Sequence, residues 1–229
     1  MKYSIAIDGP SGAGKSTLAR LLADKIGFVY LDTGAIYRTV GLVAMRLGVD
    51  PDNLKMLEPC FDTMQISIRH ANGVQRMFLR EEDVTDKIRT PEMSVWATIV
   101  AGYAPVRGVL LDLQRDFAKY TDVVMDGRDI GTVVLPQATV KIFLTASVEK
   151  RATRRYDELI ERGTATSYDE VLSEMKKRDK INATREISPE RPADDAVILD
   201  TTEFDLAQSL SALVKIVETR IGSTTKGQQ

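Results

Sequence analysis

The chain has 229 residues, 43% of them hydrophobic and 28% charged, and its formal net charge is −2. This length allows one sizeable α/β domain with room for a small inserted subdomain, and the small net charge argues against a general binder of nucleic acid or of membrane surfaces. One cysteine and one histidine are too few for a zinc site of the usual kind, and with no signal-peptide pattern and no apolar run of roughly 20 residues we expect a cytoplasmic protein.

A glycine-rich segment, the phosphate loop, follows the first apolar run of the chain. It reads Gly9-Pro10-Ser11-Gly12-Ala13-Gly14-Lys15-Ser16-Thr17 and matches the pattern G-x-x-x-x-G-K-[ST] between a strand and a helix. Its backbone N–H groups would point at phosphate oxygens, Lys15 would reach the β- and γ-phosphates, and the Ser16 hydroxyl would hold Mg²⁺. The alternative, a turn that merely joins strand to helix, does not require the full pattern. The loop therefore predicts a nucleoside triphosphate site with Mg²⁺.

A second strand–helix unit follows the phosphate loop. Helical spacing of leucine and isoleucine continues from residue 18 to residue 26, and Gly27 is a typical helix stop. Residues 28–31 predict a short buried strand, after which Asp32 or Thr33 can cap the next helix.

The middle of the chain predicts an antiparallel insertion. Apolar and polar residues alternate from Met64 to Ile68, Asn72-Gly73 is a strong hairpin signal, and residues 74–79 form the return strand. Because the flanking segments alternate strands with helices, we expect an insertion at about 62–90 that stays outside the main sheet.

The strand–helix alternation then resumes. Thr90-Pro91 and Ala104-Pro105 are typical helix starts, and residues 122–125 and 140–144 predict buried strands. Ser147 begins a helix that contains Arg151, Arg154 and Arg155, and a capping box at 167–170 opens another helix. A last strand at 196–199 precedes an amphipathic helix that runs to about residue 217.

These elements predict an α/β fold with a five-stranded parallel sheet flanked by helices, a small antiparallel insertion and a helical lid. Ligands of such sheets bind beyond the carboxyl ends of the strands. That rule brings together the phosphate loop, Asp32-Thr33 and the segment 126–129, which reads Asp-Gly-Arg-Asp.

The remaining motifs favour a small-molecule kinase over a guanine-specific switch, because no Asn-Lys-x-Asp segment is present. Asp126 follows an apolar strand, where a carboxylate associated with Mg²⁺ commonly lies, although Asp-Gly is also a frequent turn. Arg178 and Arg185 are two helical turns apart and could face one side; from spacing alone, a solvated helix face is the favoured interpretation.

Four segments together resemble the bacterial cytidylate kinases: the phosphate loop and residues 31–38, 126–134 and 177–179. The resemblance runs in order from Ile5 to about Leu206 and implies ATP-dependent phosphorylation of CMP and dCMP in pyrimidine nucleotide metabolism. It implies the nucleoside monophosphate kinase fold in one domain, with a core at 1–61, 91–149 and 190–222 and a lid at about 150–166. ATP and CMP or dCMP would be the partners, Mg²⁺ the cofactor, and a monomer is the default expectation.

The resemblance also implies a set of site residues. The residues that would bind ATP are Gly9, Pro10, Ser11, Gly12, Ala13, Gly14, Lys15, Ser16, Thr17 and Arg154. The residues that would bind the metal are Ser16 and Asp126. Substrate binding falls on Ser11, Thr33, Tyr37, Arg38, Thr98, Arg107, Arg128, Asp129, Arg178, Asn182 and Arg185. Catalysis falls on Lys15, Asp126, Arg128 and Arg185. Within these sets, Arg38, Arg128 and Arg185 would hold phosphate groups. Thr98, Arg107 and Asp129 would surround the cytosine, and Arg178 and Asn182 would lie at the sugar.

Two alternatives remain open at this point. One is a kinase for another small acceptor such as UMP, AMP or shikimate, and the other is a nucleotide-dependent regulator without turnover. The chain also departs from the family pattern at Asn182, where aspartate is usual, which weakens one charge-assisted contact to the sugar.

Overall fold

Strands and helices alternate along most of the chain in the structure, a computed structural model that describes residues 2–71 and 73–226. The strands are β1 (Ser4–Asp8), β2 (Val29–Asp32), β3 (Ile66–Ala71), β4 (Val74–Leu79), β5 (Glu82–Asp83), β6 (Val123–Asp126), β7 (Val140–Thr145) and β8 (Val197–Asp200). The helices are α1 (Lys15–Ile26), α2 (Thr33–Arg46), α3 (Pro91–Val100), α4 (Ala104–Tyr120), α5 (Val148–Glu161), α6 (Tyr168–Thr184) and α7 (Leu206–Lys226). Asn72, half of the predicted hairpin turn, lies outside the described residues.

Five of the strands form a parallel sheet in the order β2-β6-β1-β7-β8, so the predicted fold class is confirmed. The register pairs Ile7 with Asp126 and Asp32 with Asp126, which brings the carboxyl ends of β1, β2 and β6 to one edge. The loops that follow these three strands therefore meet at the edge where ligands bind in such sheets.

Helices cover both faces of the sheet, as short apolar parallel strands require. On one face, Leu22 of α1 and Leu213 of α7 are fully buried against Ile5 and Ile7 of β1. On the other face, the sheet packs against α4 and against the turn that contains Ile130. The helices α2, α3 and α4 share a further buried cluster.

The predicted insertion forms its own antiparallel sheet in the order β3-β4-β5. Its side chains Met77, Val84 and Ile88 are at most 1% exposed and lie in the same cluster as α2 and α3. The two-residue strand β5 and a 3₁₀ segment, Leu54–Thr63, were not predicted, because neither carries a sustained apolar period.

The predicted starts of α2, α3, α5 and α6 are confirmed and carry side-chain caps, while α4 begins at the predicted Ala104 without a side-chain cap. The Asp32 carboxylate accepts from Ala35 N at the start of α2, and Thr90 and Ser147 cap α3 and α5 in the same way. The capping box predicted at 167–170 is present at the start of α6. The last helix runs to Lys226, beyond its predicted end near residue 217, and continues through Gly222.

No single helix within residues 2–71 and 73–226 is long and apolar enough to cross a membrane. Only α3 and α4 taken together pass that test by length and composition, and they are bent by 102° at their junction.

Candidate active site

A cavity of ≈ 980 Å³ lies at the carboxyl ends of β1, β2 and β6. Its floor is formed by the phosphate loop and the segment 126–129, and its walls by α2, α3, α5 and α6. The phosphate loop, Asp32-Thr33 and the segment 126–129, which were predicted to lie close together, therefore all border the cavity.

The phosphate loop curls where its glycines adopt a left-handed backbone. Gly9 has φ +138°, and a Cβ at this position would lie 1.9 Å from the Leu144 carbonyl oxygen of β7, so only glycine fits. Within the curl, the Lys15 ammonium donates to Pro10 O at 2.7 Å. Burial is the main cause that lowers the pKa of Lys15, and the nearby positive charge of Arg128 lowers it further. The ammonium is thus held inside the loop by a carbonyl that a phosphate oxygen could replace.

Asp126 gathers hydroxyl groups at the end of β6. Ser16 Oγ donates to Asp126 Oδ2 and Tyr30 OH to Asp126 Oδ1, both at 2.8 Å, while Thr33 Oγ1 donates to the Asp126 carbonyl at 2.7 Å. Burial is the main cause that raises the pKa of Asp126, and the nearby negative charge of Asp32 raises it further. A cation at this position would relieve the buried negative charge.

Asp32 holds an arginine at the entrance to α2. Its Oδ1 caps the helix through Ala35 N at 2.9 Å, and its Oδ2 accepts from Arg38 Nη2 at 2.8 Å. The absence of a side chain at Gly34 leaves room for this pair, since a Cβ there would lie 3.1 Å from both partners. Arg38 Nε is buried without a hydrogen-bond partner among the described residues. The guanidinium therefore has one donor that no described residue uses.

Arg107 of α4 and Asp129 form a buried ion pair on the cavity wall, with 9% and 6% of their side chains exposed. The Arg107 guanidinium also lies over the Tyr37 ring, 5.7 Å from its centroid. Thr98 lies on α3 nearby and donates to Ser94 O at 3.1 Å. Charged, aromatic and hydroxyl groups thus line one part of the cavity, a combination that suits a polar aromatic ring.

Arg128 connects the two sides of the cavity floor. Its Nη1 donates to the Gly9 carbonyl and lies 3.3 Å from Glu190 Oε2. The turn that carries Arg128 is fixed by Asp8, whose two carboxylate oxygens accept from Ile130 N and Gly131 N at 2.7 Å each. Burial raises the pKa of Asp8 to about 7.

Arg178, Asn182 and Arg185 line the same cavity. Arg185 lies just beyond the end of α6 in an extended conformation, so the two arginines are not on one helix, yet both line the cavity. The solvated-face interpretation is therefore wrong. Burial and, after it, the nearby charge of Arg128 lower the pKa of Arg178 to about 10. The Nε atom of Arg178 has no hydrogen-bond partner among the described residues.

Two arginines of α5 bind the backbone of the phosphate loop. Arg151 Nη1 donates to Ser11 O at 3.0 Å and pairs with Asp179 at 2.7 Å, while Arg154 donates to Ala13 O at 3.4 Å. Arg155 pairs with Glu158 on its own helix. The first half of α5 is thus anchored, and the cavity-lining side chains beyond it are more exposed.

Comparison with known proteins identifies the family to which this chain belongs. A sequence model of the cytidylate kinase family matches residues 5–219. This chain belongs to that family. It is 45% identical over 215 residues to the cytidylate kinase of Caldicellulosiruptor bescii, covering 94% of this chain and 95% of the relative. It is 46% identical over 220 residues to that of Geobacter sulfurreducens, covering 96% and 94%.

A solved structure of an uncharacterized protein from Eubacterium ventriosum shares the fold of this cytidylate kinase family member. It has a TM-score of 0.51 at 13% identity and covers 95% of this chain and 99% of its own. The predicted family and the predicted enzyme class, a nucleotide kinase, are both confirmed.

Most of the predicted site residues line the cavity of this cytidylate kinase family member. They are Ser11, Gly12, Ala13, Gly14, Lys15, Ser16, Thr17, Thr33, Tyr37, Arg38, Thr98, Arg107, Asp126, Arg128, Asp129, Arg154, Arg178, Asn182 and Arg185. Gly9 and Pro10 are not among the lining residues and instead accept hydrogen bonds from Arg128 and Lys15 through their carbonyl oxygens.

Several cavity residues were not predicted from the sequence. Phe204, Asp205 and Ser209 line the cavity beside Arg154, and they follow β8 without any motif. In the sequence, Asp8 is the polar end of an apolar strand and Glu190 is part of a polar segment. Their roles at the site are recognised only from their contacts with residues far away in the chain. The strand-end rule could have indicated Asp8 and the 201–206 segment, whereas nothing in the sequence indicates Glu190.

Proposed function

We propose that this chain transfers the γ-phosphoryl group of ATP to CMP or dCMP and releases ADP with CDP or dCDP. The observation that carries the proposal is one cavity in which a phosphate loop faces a buried Arg107–Asp129 pair and a ring of arginines. Two anionic substrates can therefore lie end to end, with cations along their whole length. The names of the relatives agree with this acceptor.

The donor side is the phosphate loop with Lys15. Its backbone N–H groups and the N-terminus of α1 favour the triphosphate, and the Lys15 ammonium exchanges Pro10 O for phosphate oxygens. Phe204 and Ser209, beside Arg154, offer a place for the base at the outer end of the cavity.

Mg²⁺ would be held by Ser16 and Asp126. A hydroxyl and a carboxylate oxygen already adjoin there, and they suit an ion that prefers oxygen ligands and keeps water and phosphate oxygens at its other positions. The described residues contain no cluster of three acidic, histidine or cysteine side chains, so phosphate oxygens and water would complete the set. When bound, the ion supplies charge neutralisation at the β- and γ-phosphates.

The acceptor side is proposed to read cytosine through Asp129. A carboxylate accepts a hydrogen bond from the exocyclic amino group of cytosine, whereas uracil presents a carbonyl oxygen there and would face an unpaired anion. Arg107 holds the carboxylate in place through their buried ion pair. Arg38, Arg128 and Arg185 are proposed to hold the acceptor phosphate, with Arg178 and Asn182 at the sugar.

The proposed reaction needs no general base. The acceptor phosphate is mostly dianionic at neutral pH, because the second pKa of a phosphate monoester is about 6. Its oxygen can attack the γ-phosphorus directly, so the protein contributes in-line positioning and charge stabilisation by Lys15, Arg128 and Arg185. Closure of the proposed lid, about 150–166, would exclude water and suppress ATP hydrolysis. We further propose a cytoplasmic monomer whose insertion, about 62–90, belongs to the acceptor side.

A panel of acceptors tests the proposal. ADP release would be measured by a coupled assay with CMP, dCMP, UMP, AMP and shikimate, each with Mg²⁺ and with excess chelator. We expect turnover with the cytidine nucleotides at a kcat/KM at least about tenfold above the others, since one missing hydrogen bond to a buried charge has that effect. Chelator should abolish it. A preference for any other acceptor would refute the proposal.

A further inference from the structure

Two side chains of the insertion cover the free edge of the parallel sheet. Strand β2 is the outermost strand, with β6 on one side only. His70 and Gln75 face each other across the β3–β4 pair, and both reach β2. His70 Nε2 lies 2.9 Å from Tyr30 O, while Gln75 Oε1 accepts from Asp32 N at 2.7 Å and Gln75 Nε2 donates to Asp32 O at 3.2 Å.

The position of these contacts follows from strand geometry. Backbone groups of alternate residues point to opposite sides of a strand, and Val29 N points inward, donating to Asp122 O. Tyr30 and Asp32 therefore point outward, where an edge strand has no neighbour. The carboxamide of Gln75 supplies one acceptor and one donor, as a peptide group of an additional strand would. At 7% exposure, Gln75 shields Asp32 from water, which then cannot take over these bonds.

Asp32 transmits this contact to the cavity. The same residue caps α2 through Ala35 N and pairs with Arg38, so its backbone position sets both the start of the helix and the guanidinium. Gly34 lets the pair lie directly against the backbone. A short chain of hydrogen bonds thus connects the insertion with Arg38, through Gln75 and Asp32 only.

We propose that Gln75 is a positioning residue of the acceptor site, which fixes Arg38 by holding the backbone of Asp32. The inference rests on the proposed function in one respect, namely that Arg38 binds the acceptor phosphate. Among the described residues, the side chains of Lys15 and Ser16 bond to Pro10 O and to Asp126, and not to Gln75, Asp32 or Arg38. Loss of the Gln75 carboxamide should therefore weaken the acceptor and spare ATP.

The test uses Gln75→Met and Gln75→Glu in the full chain. Methionine has a similar length, no donor and only a weak sulfur acceptor, whereas glutamate keeps an acceptor for Asp32 N and places its second carboxylate oxygen where the donor to Asp32 O had been. We expect Gln75→Met to raise the KM for CMP about tenfold with the KM for ATP changed less than about twofold. Gln75→Glu should raise the KM for CMP at least as much, because it places a buried carboxylate oxygen against Asp32 O. The matched control is Arg76→Met, whose side chain is exposed on the other face of β4 and should leave both constants unchanged.

The outcomes separate the inference from the proposed function. Absence of CMP turnover in the wild-type protein overturns both. Wild-type turnover with an unchanged KM for CMP in folded Gln75→Met, or with equal rises for CMP and ATP, overturns only the role of Gln75. If Gln75→Met does not fold, the same comparison is made with Gln75→Glu, where an unchanged KM for CMP likewise overturns it.

Discussion

At the scale of single residues, the Arg107–Asp129 pair decides which base the cavity accepts. Both side chains are buried, so each depends on the other for compensation of its charge. Asparagine has the shape of aspartate but carries a donor as well as an acceptor, so it can turn its amide toward the carbonyl of uracil. We expect Asp129→Asn to lower the ratio of kcat/KM for CMP to that for UMP by about tenfold or more. Steady-state kinetics with both nucleotides measures the ratio.

The control for this change is Asp116→Asn, which removes an exposed carboxylate from α4 that pairs with Lys119. Its ratio should match that of the wild-type protein. A uniform loss of activity toward CMP and UMP in Asp129→Asn would mean that the residue supports the structure of the cavity and does not read the base.

Residues with a local signal were predictable, and residues whose partners are distant were not. The phosphate loop carries its chemistry in nine consecutive positions, and the aspartate at the end of β6 follows an apolar run. Asp8, by contrast, acts through two backbone N–H groups more than 120 positions away. Such a carboxylate cannot be told from a polar strand end until the fold has brought its donors near.

At the scale of elements, α2 and α3 pack so closely that one glycine sets their distance. A Cβ on Gly41 of α2 would lie 2.7 Å from Trp96 Cβ and 3.4 Å from the Trp96 carbonyl carbon of α3. These atoms are close to or within the backbone of α3 and cannot turn aside. We expect Gly41→Ala to lower the free energy of unfolding by about 2 kcal/mol, because overpacking outweighs the better helix propensity of alanine. Urea unfolding measures it.

Gly108→Ala on α4 is the matched control, since a Cβ there meets nothing within 4 Å. It should raise the free energy of unfolding by up to about 1 kcal/mol. An equal gain at both positions would show that α2 and α3 are not in close contact.

Helix starts were predictable at this scale because capping residues act within three positions of themselves. The 3₁₀ segment and β5 were not, since neither has a repeated pattern: the 3₁₀ segment packs through Leu57 into the cluster shared by α2, α3 and α4, and β5 pairs with β4. The short distance between α2 and α3 could not be predicted either, because nothing in the sequence distinguishes Gly41 from other glycines in helices.

At the scale of the whole molecule, cations from distant parts of the chain converge on one cavity although the net charge is −2. They include Lys15, Arg38, Arg107, Arg128, Arg154, Arg155, Arg162, Arg178 and Arg185. Several are paired with carboxylates, but Arg178 has a buried donor without a partner in the part of the chain that the structure describes. Burial lowers the pKa of Arg178, and the nearby charge of Arg128 lowers it further. A polyanion that binds only the folded protein would supply the missing partner and stabilise the fold.

We therefore expect tripolyphosphate to raise the melting temperature well above the effect of NaCl at equal ionic strength. At a concentration of about 100 times its Kd, the gain is about 2.7 kcal/mol, which for a chain of this size corresponds to roughly 5–10 °C. Arg178→Met should reduce the shift, whereas Arg69→Met, on the exposed face of the insertion, should leave it intact. Scanning calorimetry of the three proteins measures the shifts. Equal stabilisation by both salts would mean that the arginines respond to ionic strength alone, and that the cavity does not hold a polyphosphate as a ligand.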